Sequence, residues 1–218
     1  MSLPKRFDSK VKRGLGLHAV WPPGDPIEIG DVMTRQNGIF HPIDNVSNFG
    51  VTPDLQEFPD QRSLSFEAAG TVTTTIQGGV QVDPTDLDAN ASAKVEIEFK
   101  RNDSYFIRTS ELTGVEIENV RTTLRALRTH PEWRHGKFFI VWQLYNAANF
   151  SFLGTEKKNK KISFGGKGKA ILKFLTMGAT AGLTRTSTGS VTVDLTGKRG
   201  PIVMALLRIK KNGELIFA

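Results

Sequence analysis

Cysteine is absent from the 218 residues. Disulfides, thiolate zinc sites and cysteine nucleophiles are therefore excluded, and the lack of disulfides fits a reducing compartment. Histidine is scarce: His18, His41, His130 and His135 are the only four. The last two flank Pro131-Glu132-Trp133-Arg134. That spacing does not place both on one helix face, and Pro131 would interrupt the helix. A helical two-histidine zinc site is not supported, and solvated loop histidines are expected. Long apolar runs are missing as well. The most apolar stretch, Ala170 to Leu183, contains Lys173 and falls short of the ~20 residues a membrane-spanning helix needs. No apolar segment follows the basic N-terminus, so no secretory signal is visible.

What is present is ordinary globular composition with a basic excess. Hydrophobic residues make up 39% and charged residues 23%, which argues against disorder as the main state. The length suits one large domain, expected to span residues 1–218. A net charge of +7 favours anionic partners, either nucleic acid or acidic lipid headgroups.

The patterning predicts an α+β fold, a twisted and mainly antiparallel sheet with a few short helices and long hairpins. Pro4 to Gly14 carries Lys5, Arg6, Lys10, Lys12 and Arg13 around Phe7 and Val11, whose i,i+4 spacing suits a short basic amphipathic helix. Leu15 to Trp21 reads as a strand. Ile27 to Thr34 and Ile39 to Ile43 flank Asn37-Gly38, a hairpin turn signal. Val46 to Arg62 reads as a loop. Ser63 to Ile76 and Ala91 to Lys100 alternate as strands, the second with one wet face. Thr113 to Glu116 has the spacing of a capping box, followed by Ile117, Val120, Leu124 and Leu127 at helical spacing and Arg121, Arg125 and Arg128 beside them. Phe138 to Gln143 is apolar on both faces, as a central strand would be. The pattern continues through Phe150 and Phe152, breaks at Lys157 to Lys161 and resumes at Ile162 to Phe164. Ala170 to Leu183 fits either a helix or a buried strand. Ser190 to Leu195, Pro201 to Ile209 and Leu215 to Phe217 read as strands, the last two joined at Asn212-Gly213.

No catalytic motif emerges, and no enzyme activity, cofactor or metal is expected. Asp83, Asp86 and Asp88 lack the closing Glu of a helical calcium loop; with Pro84 they suit a plain turn. Gly165 to Lys169 lacks the glycine spacing and the hydroxyl that a phosphate-binding loop requires. No serine sits in a Gly-x-Ser-x-Gly elbow. Basic clusters could contact nucleic acid, but no helix-turn-helix, zinc finger or aromatic RNA-binding signature is present, so nucleic acid is not favoured.

Several segments, taken in order, resemble the pore-forming domain of gasdermins. They are Gly30-Asp31-Val32, Asn37 to Phe40, Ser104 to Ser110, Val115 to Arg128, Gly136 to Leu144, Asn149 to Thr155, Val191 to Val193 and Ile202 to Ile209. The resemblance implies a cytoplasmic cell-death effector that moves to membranes on activation. Such a domain binds acidic lipids, oligomerises and refolds two hairpin regions into a β-barrel, the one kind of strand assembly that lipid accepts. Implied lipid-binding residues are Lys5, Arg6, Lys10, Lys12, Arg13, Arg121, Arg125 and Arg128. Implied membrane-inserting residues are Leu64, Phe66, Val72, Ile76, Val95, Ile97 and Phe99 on a first hairpin. Phe150, Phe152, Ile162, Phe164, Val191 and Val193 belong to a second, formed by Asn149 to Phe164 with Ser187 to Leu195. An activating protease or an inhibitory partner is also implied. The N-terminal cysteine usual in bacterial members is missing. Two other readings stay open: a basic nucleic-acid-binding module, and a β-rich structural or assembly protein.

Overall fold

The computed structural model describes residues 1–60, 62–131, 133, 138–186, 191–210 and 214–217. Along the chain run α1 (Leu3–Leu15), β1 (His18–Ala19), β2 (Asp31–Gln36), β3 (Ile39–Asn45), β4 (Leu55–Asp60), β5 (Ser65–Glu67), β6 (Thr71–Gln77), β7 (Val80–Val82), β8 (Ser92–Phe99), β9 (Ser104–Thr109) and β10 (Leu112–Ile117). They are followed by α2 (Val120–Leu127), β11 (Phe139–Thr155), β12 (Lys160–Lys167), α3 (Gly168–Met177), β13 (Leu183–Arg185), β14 (Val193–Ile209) and β15 (Leu215–Phe217). Short 3-10 turns occupy Val46–Phe49 and Pro84–Asp86. The strands fall in two antiparallel sheets, and the class is α+β as expected. Residue contacts divide the chain into two compact units. One comprises residues 1–7, 61–112 and 147–199, and the other 8–60, 113–146 and 200–218.

In the first unit, a five-stranded sheet has the order β13-β12-β8-β6-β7. Strand β8 alternates strictly: Ala93, Val95, Ile97 and Phe99 are buried, while Lys94, Glu96 and Glu98 are half-exposed. Ile97 lies opposite Ile162 and Val95 opposite Phe164, so one face of the β8/β12 pair is continuous hydrocarbon. That face packs with Phe106, Leu153, Ile171 and Phe174. The Phe174 ring of α3 lies 5.6 Å from Phe106 and 5.0 Å from Phe164. Strand β9 pairs with β5 and with Phe150 to Thr155 of β11. Tyr105 and Phe152 of this pair meet Phe7 of α1, at 5.4 and 5.2 Å between ring centroids. Gly154 makes room for α1, since a Cβ there would come within 2.7 Å of a Leu3 methyl.

Three expectations are corrected in this unit. Ser63 to Ile76 is two strands, because Gly70 adopts φ +92 beside the Arg101 side chain and turns the chain; β5 then pairs with β9, and β6 with β8. The polar connection from Gly78 to Asn90 contains β7 and a 3-10 turn. The expected hairpin from Asn149 to Phe164 does not form, because β11 pairs with β9 whereas β12 pairs with β8 and β13. The lysine-rich turn at 156–159 joins strands that are not neighbours. The ambiguous stretch after Gly168 resolves as helix α3, ended by Gly178 at φ 69, and then β13.

The second unit contains β1, β2, β3, β4, β15, residues 113–117 of β10, residues 139–146 of β11 and residues 200–209 of β14; β1 pairs with β14, β2 with β11, β3 with β2 and β15 with β14. Asn37 and Gly38 both take positive φ, 52° and 85°, as the Asn-Gly signal requires for a two-residue hairpin. Strand β11 is central as predicted. Ile140 packs with Val32, Leu124, Leu127 and Trp133 on one side, and Val141 with Met33, Phe40 and Met204 on the other.

Corrections here have local causes. Helix α1 runs to Leu15, leaving only His18–Ala19 of the expected Leu15–Trp21 strand. The expected loop after Val46 holds a 3-10 turn and β4. Thr113 to Glu116 is strand β10, not a capping box. Gly114 lets the chain lie under Phe58, whose ring would collide with any Cβ there. The helix begins later, after Asn119, whose side chain is held by Asp54 (Nδ2 donates to Oδ2 at 2.6 Å) and receives the Thr123 hydroxyl at 2.9 Å. Ser190 to Leu195 and Pro201 to Ile209 are not separate strands, since Val193–Ile209 is one strand of 17 residues. Ser187 to Ser190 and the Asn212-Gly213 turn lie outside the described residues.

The aromatic stack through Phe174 yields a first expectation. Phe174→Ala should cost about 3–5 kcal/mol of stability, read as a lower urea midpoint. A loss below about 1 kcal/mol would mean that α3 does not support this core.

Candidate functional site

Residues directly opposite on antiparallel strands share a face, so register decides which expected membrane-inserting residues stand together. Val95, Ile97 and Phe99 share a face with Ile162 and Phe164. From β6 that face receives Thr75, Thr73 and Thr71. Val72 and Ile76 lie opposite Glu98 and Lys94, on the reverse, charged face. Phe150 and Phe152 are fully buried on β11, and Phe152 meets Phe7. Leu64 is buried just before β5, its N–H donating to the Thr109 hydroxyl at 2.8 Å. Phe66 lies opposite Ile107. Val191 packs on the Val95 core from outside any strand, and Val193 opens β14.

The charged face is organised around Glu96. Its carboxylate accepts from Lys161 Nζ at 2.5 Å and from Lys94 Nζ at 2.6 Å. Hydrogen bonds from Lys161 and then Lys94 hold its pKa below the ordinary glutamate value, against a smaller opposing effect of burial. Lys100 and Glu98 add a looser pair at 3.8 Å. Lys161, the last residue of the lysine run that interrupts the strand pattern in the sequence, is thus a cross-strand tie.

The basic candidates fall on two helices. Helix α1 buries Leu3, Phe7 and Val11 and exposes Lys5, Lys10, Lys12 and Arg13, with Arg6 half-buried. On α2, Leu124 and Leu127 face the core while Arg121, Arg125 and Arg128 are exposed. Arg121, Arg125 and Arg128 form no ion pair with any described carboxylate. Among the described residues, α2 thus carries three exposed arginines outside any ion pair, while α1 sets one acidic residue, Asp8, among its cations.

Asp8 leads to a group that sequence reasoning missed. His18 is 1% exposed and donates from Nδ1 to Asp8 Oδ1 at 3.1 Å. It is not a solvated loop histidine. Its position ten residues after a helical carboxylate gave no pattern from which the contact could be read. His41 is exposed, His130 packs edge-on against Phe49, and His135 lies outside the described residues. The acidic turn behaves as a turn: Asp83 accepts from the Thr85 N–H at 2.8 Å and Asp88 from the Asn90 N–H at 2.9 Å. The Thr85 hydroxyl and N–H lower the Asp83 pKa. Among the described residues, no three or more His, Asp or Glu side chains gather as metal ligands. No helix among them is long and apolar enough to cross a membrane, which says nothing of crossing by strands.

These features define an α+β protein with basic helices and alternating strands. Solved structures similar to it include two gasdermins. One is a bacterial gasdermin from Bradyrhizobium tropiciagri, at 16% identity and a TM-score of 0.40, covering 97% of this chain and 90% of that one. The other is the Gasdermin A3 membrane pore, at 12% identity and a TM-score of 0.37, covering 100% of this chain and 94% of that one. Both bear the name of the family that the order of segments resembles; likeness at this level transfers no activity. No family model matches the sequence, and no curated protein matches it.

The Glu96 network yields a prediction with a definite sign. A carboxylate with a lowered folded pKa contributes stability above its unfolded pKa, and that contribution disappears as pH falls through the folded value. The stability gap between wild type and Glu96→Gln should therefore be largest near neutrality and close below the ordinary glutamate range. Its partly exposed lysine partners limit it to about 1 kcal/mol. A gap that stays constant from neutral to acid pH would mean that the carboxylate charge does not contribute.

Proposed function

We propose that this chain is a membrane-binding, pore-forming protein. It acts as one domain that docks on acidic lipids, assembles there with further copies and places strands in the bilayer as a closed barrel. The observation that supports the docking step is the exposed stripe of Arg121, Arg125 and Arg128 on α2, which makes no ion pair with a described carboxylate. Each basic side chain near an anionic surface contributes about 1 kcal/mol, so this stripe and the α1 cations together suffice for surface binding.

The barrel step is supported by the strand chemistry of the first unit. Strand β8 is apolar on one face and charged on the other, the alternation that a strand between lipid and water needs. With β6 and β12 it supplies three paired strands of 7, 8 and 8 residues. Spanning requires ~9–11, so insertion must extend these strands into the connections at 78–91, 100–103 and 156–159. The lipid-facing side would be Val95, Ile97, Phe99, Ile162 and Phe164 with the β6 threonines. The face carrying Glu96 and Lys161, and with it Val72 and Ile76, would line the pore. Before insertion the apolar side is covered by Ile171 and Phe174 of α3. Leaving that cover exposes hydrocarbon that only lipid or another copy can bury again. An activating protease or inhibitory partner would act by controlling this uncovering. The resting protein would be cytoplasmic.

Dye release from vesicles tests the reading. Anionic vesicles should leak and neutral ones should not. The triple variant Arg121→Glu, Arg125→Glu, Arg128→Glu should weaken vesicle binding by at least two orders of magnitude, roughly 1 kcal/mol per lost cation, while remaining folded. Binding to DNA or RNA without vesicle binding or leakage would replace this reading with a nucleic-acid-binding one. Defined oligomers in the absence of membrane, without leakage, would favour an assembly protein.

The face assignment has its own check, which the absence of native cysteine makes direct. After insertion, a fluorophore on Ile97→Cys should be quenched by lipid-borne quenchers, and one on Glu98→Cys should not. The reverse result would invert the barrel faces.

A further inference from the structure

Arg108 of β9 is a buried cation that the docking and barrel steps do not use. Its side chain is 11% exposed, so burial demands partners for its N–H groups. Nε donates to the Leu175 carbonyl of α3 at 2.9 Å. Nη1 donates to the Ile107 carbonyl at 2.9 Å and to the Phe66 carbonyl at 3.4 Å. Nη2 donates to Glu67 Oε1, the oxygen that also receives the Thr73 hydroxyl of β6 at 3.2 Å. The guanidinium lies over the Phe106 ring at 4.3 Å, and Phe106 stacks on Phe174 of α3.

Helix α3 needs what Arg108 offers. The last carbonyls of a helix have no partner within it, and a cation near them is favourable. In α3 the Gly178 N–H returns to the Phe174 carbonyl, and the last turn holds no basic residue of its own. Arg108 supplies donor and charge from a strand 67 residues earlier in the chain. Opposite Arg108 on β11 stands Ser151, whose buried hydroxyl donates to the Gly178 carbonyl at 2.6 Å. A Cβ on Gly178 would come within 2.4 Å of the Arg108 carbonyl oxygen and 2.5 Å of the Ser151 nitrogen. The end of the helix therefore rests directly on β9 and β11. The start of α3 is tied differently. It has no side-chain cap, and the Gly168 and Lys169 N–H groups donate at 3.0 Å to the Ala91 and Ala89 carbonyls. Those carbonyls belong to the connection that insertion would straighten, so that end would be freed as the strands extend.

We propose that Arg108, with Glu67, is the clasp that seats the C-terminal end of α3 and so keeps the apolar face of β8 and β12 covered. The clasp is a property of the lipid-free protein; that its opening admits insertion rests on the pore-forming reading. Its action depends on the planar fork of the guanidinium, which reaches α3, β5 and Glu67 at once. A lysine would keep the charge and lose the fork.

The test is amide hydrogen exchange on the lipid-free protein. In Arg108→Lys, the amides from Leu172 to Gly178 should lose about tenfold in protection. Val95 and Ile97 should keep theirs, because β8 is paired on both sides, with β12 and β6. Glu67→Gln, at a half-exposed position, keeps an acceptor oxygen without the charge and should loosen the same segment by a smaller factor. Wild-type protection from Leu172 to Gly178 in Arg108→Lys would overturn the clasp. An equal loss at Val95 and Ile97 would do so too, since Arg108 would then serve general stability. Should Arg108→Lys fail to fold, Glu67→Gln decides, and the absence of a selective loss there overturns the proposal. On anionic vesicles, Arg108→Lys should release dye several-fold faster than the wild type; an unchanged rate with a loosened helix would overturn its role in uncovering. Should the wild type release no dye at all, the pore-forming reading fails, and hydrogen exchange alone judges the clasp.

Discussion

The register between β8 and β12 is the constraint on which the first unit depends. Ile97 against Ile162 and Val95 against Phe164 create one apolar face. That face requires a cover, and Phe174 of α3 supplies it. A slip of one residue would send every one of these side chains to the charged side. The cross-strand contact of Glu96 with Lys161 holds the register from the other face. The two interactions differ in kind. Hydrocarbon burial provides most of the stabilisation, whereas the charge pair chiefly discriminates against the slipped alignment, since exposed ion pairs contribute little on their own.

The basic helices show a complementary principle. In α1 and α2 the apolar stripe serves the core, and the cations are left over on the outer face. Such residues add little to folding, and an uncompensated row of arginines repels itself. On α1, Asp8 adds a carboxylate among the cations, and Lys12 reaches the buried His18 ring that Asp8 also contacts.

Much of the architecture was legible because it is local. Asn37-Gly38 demands its turn, β8 alternates without exception, and the doubly apolar Phe138 to Gln143 run can only be central. The basic stripe on α2 was legible too, although the helix start was misplaced. The capping-box spacing at Thr113 to Glu116 competed with β10, and the strand won because Gly114 is buried beneath Phe58, more than fifty residues earlier in the chain, and Ile117 is buried as well. The same competition ended the expected hairpin after Asn149. A short polar turn implies paired flanks, yet β11 found a better partner in β9 and β12 in β8.

By itself, the sequence determined which residues alternate, which turns must form and how much positive charge is carried, since each depends on neighbours a few residues apart. Only the tertiary structure decided which strands pair and in what register. It thereby placed Val72 and Ile76 on the charged face and Val95 and Ile97 on the apolar one. It also decided that His18 is buried against Asp8. Pairing and burial are set by contacts between segments far apart in the chain, where many alignments satisfy the local pattern and only close packing selects one.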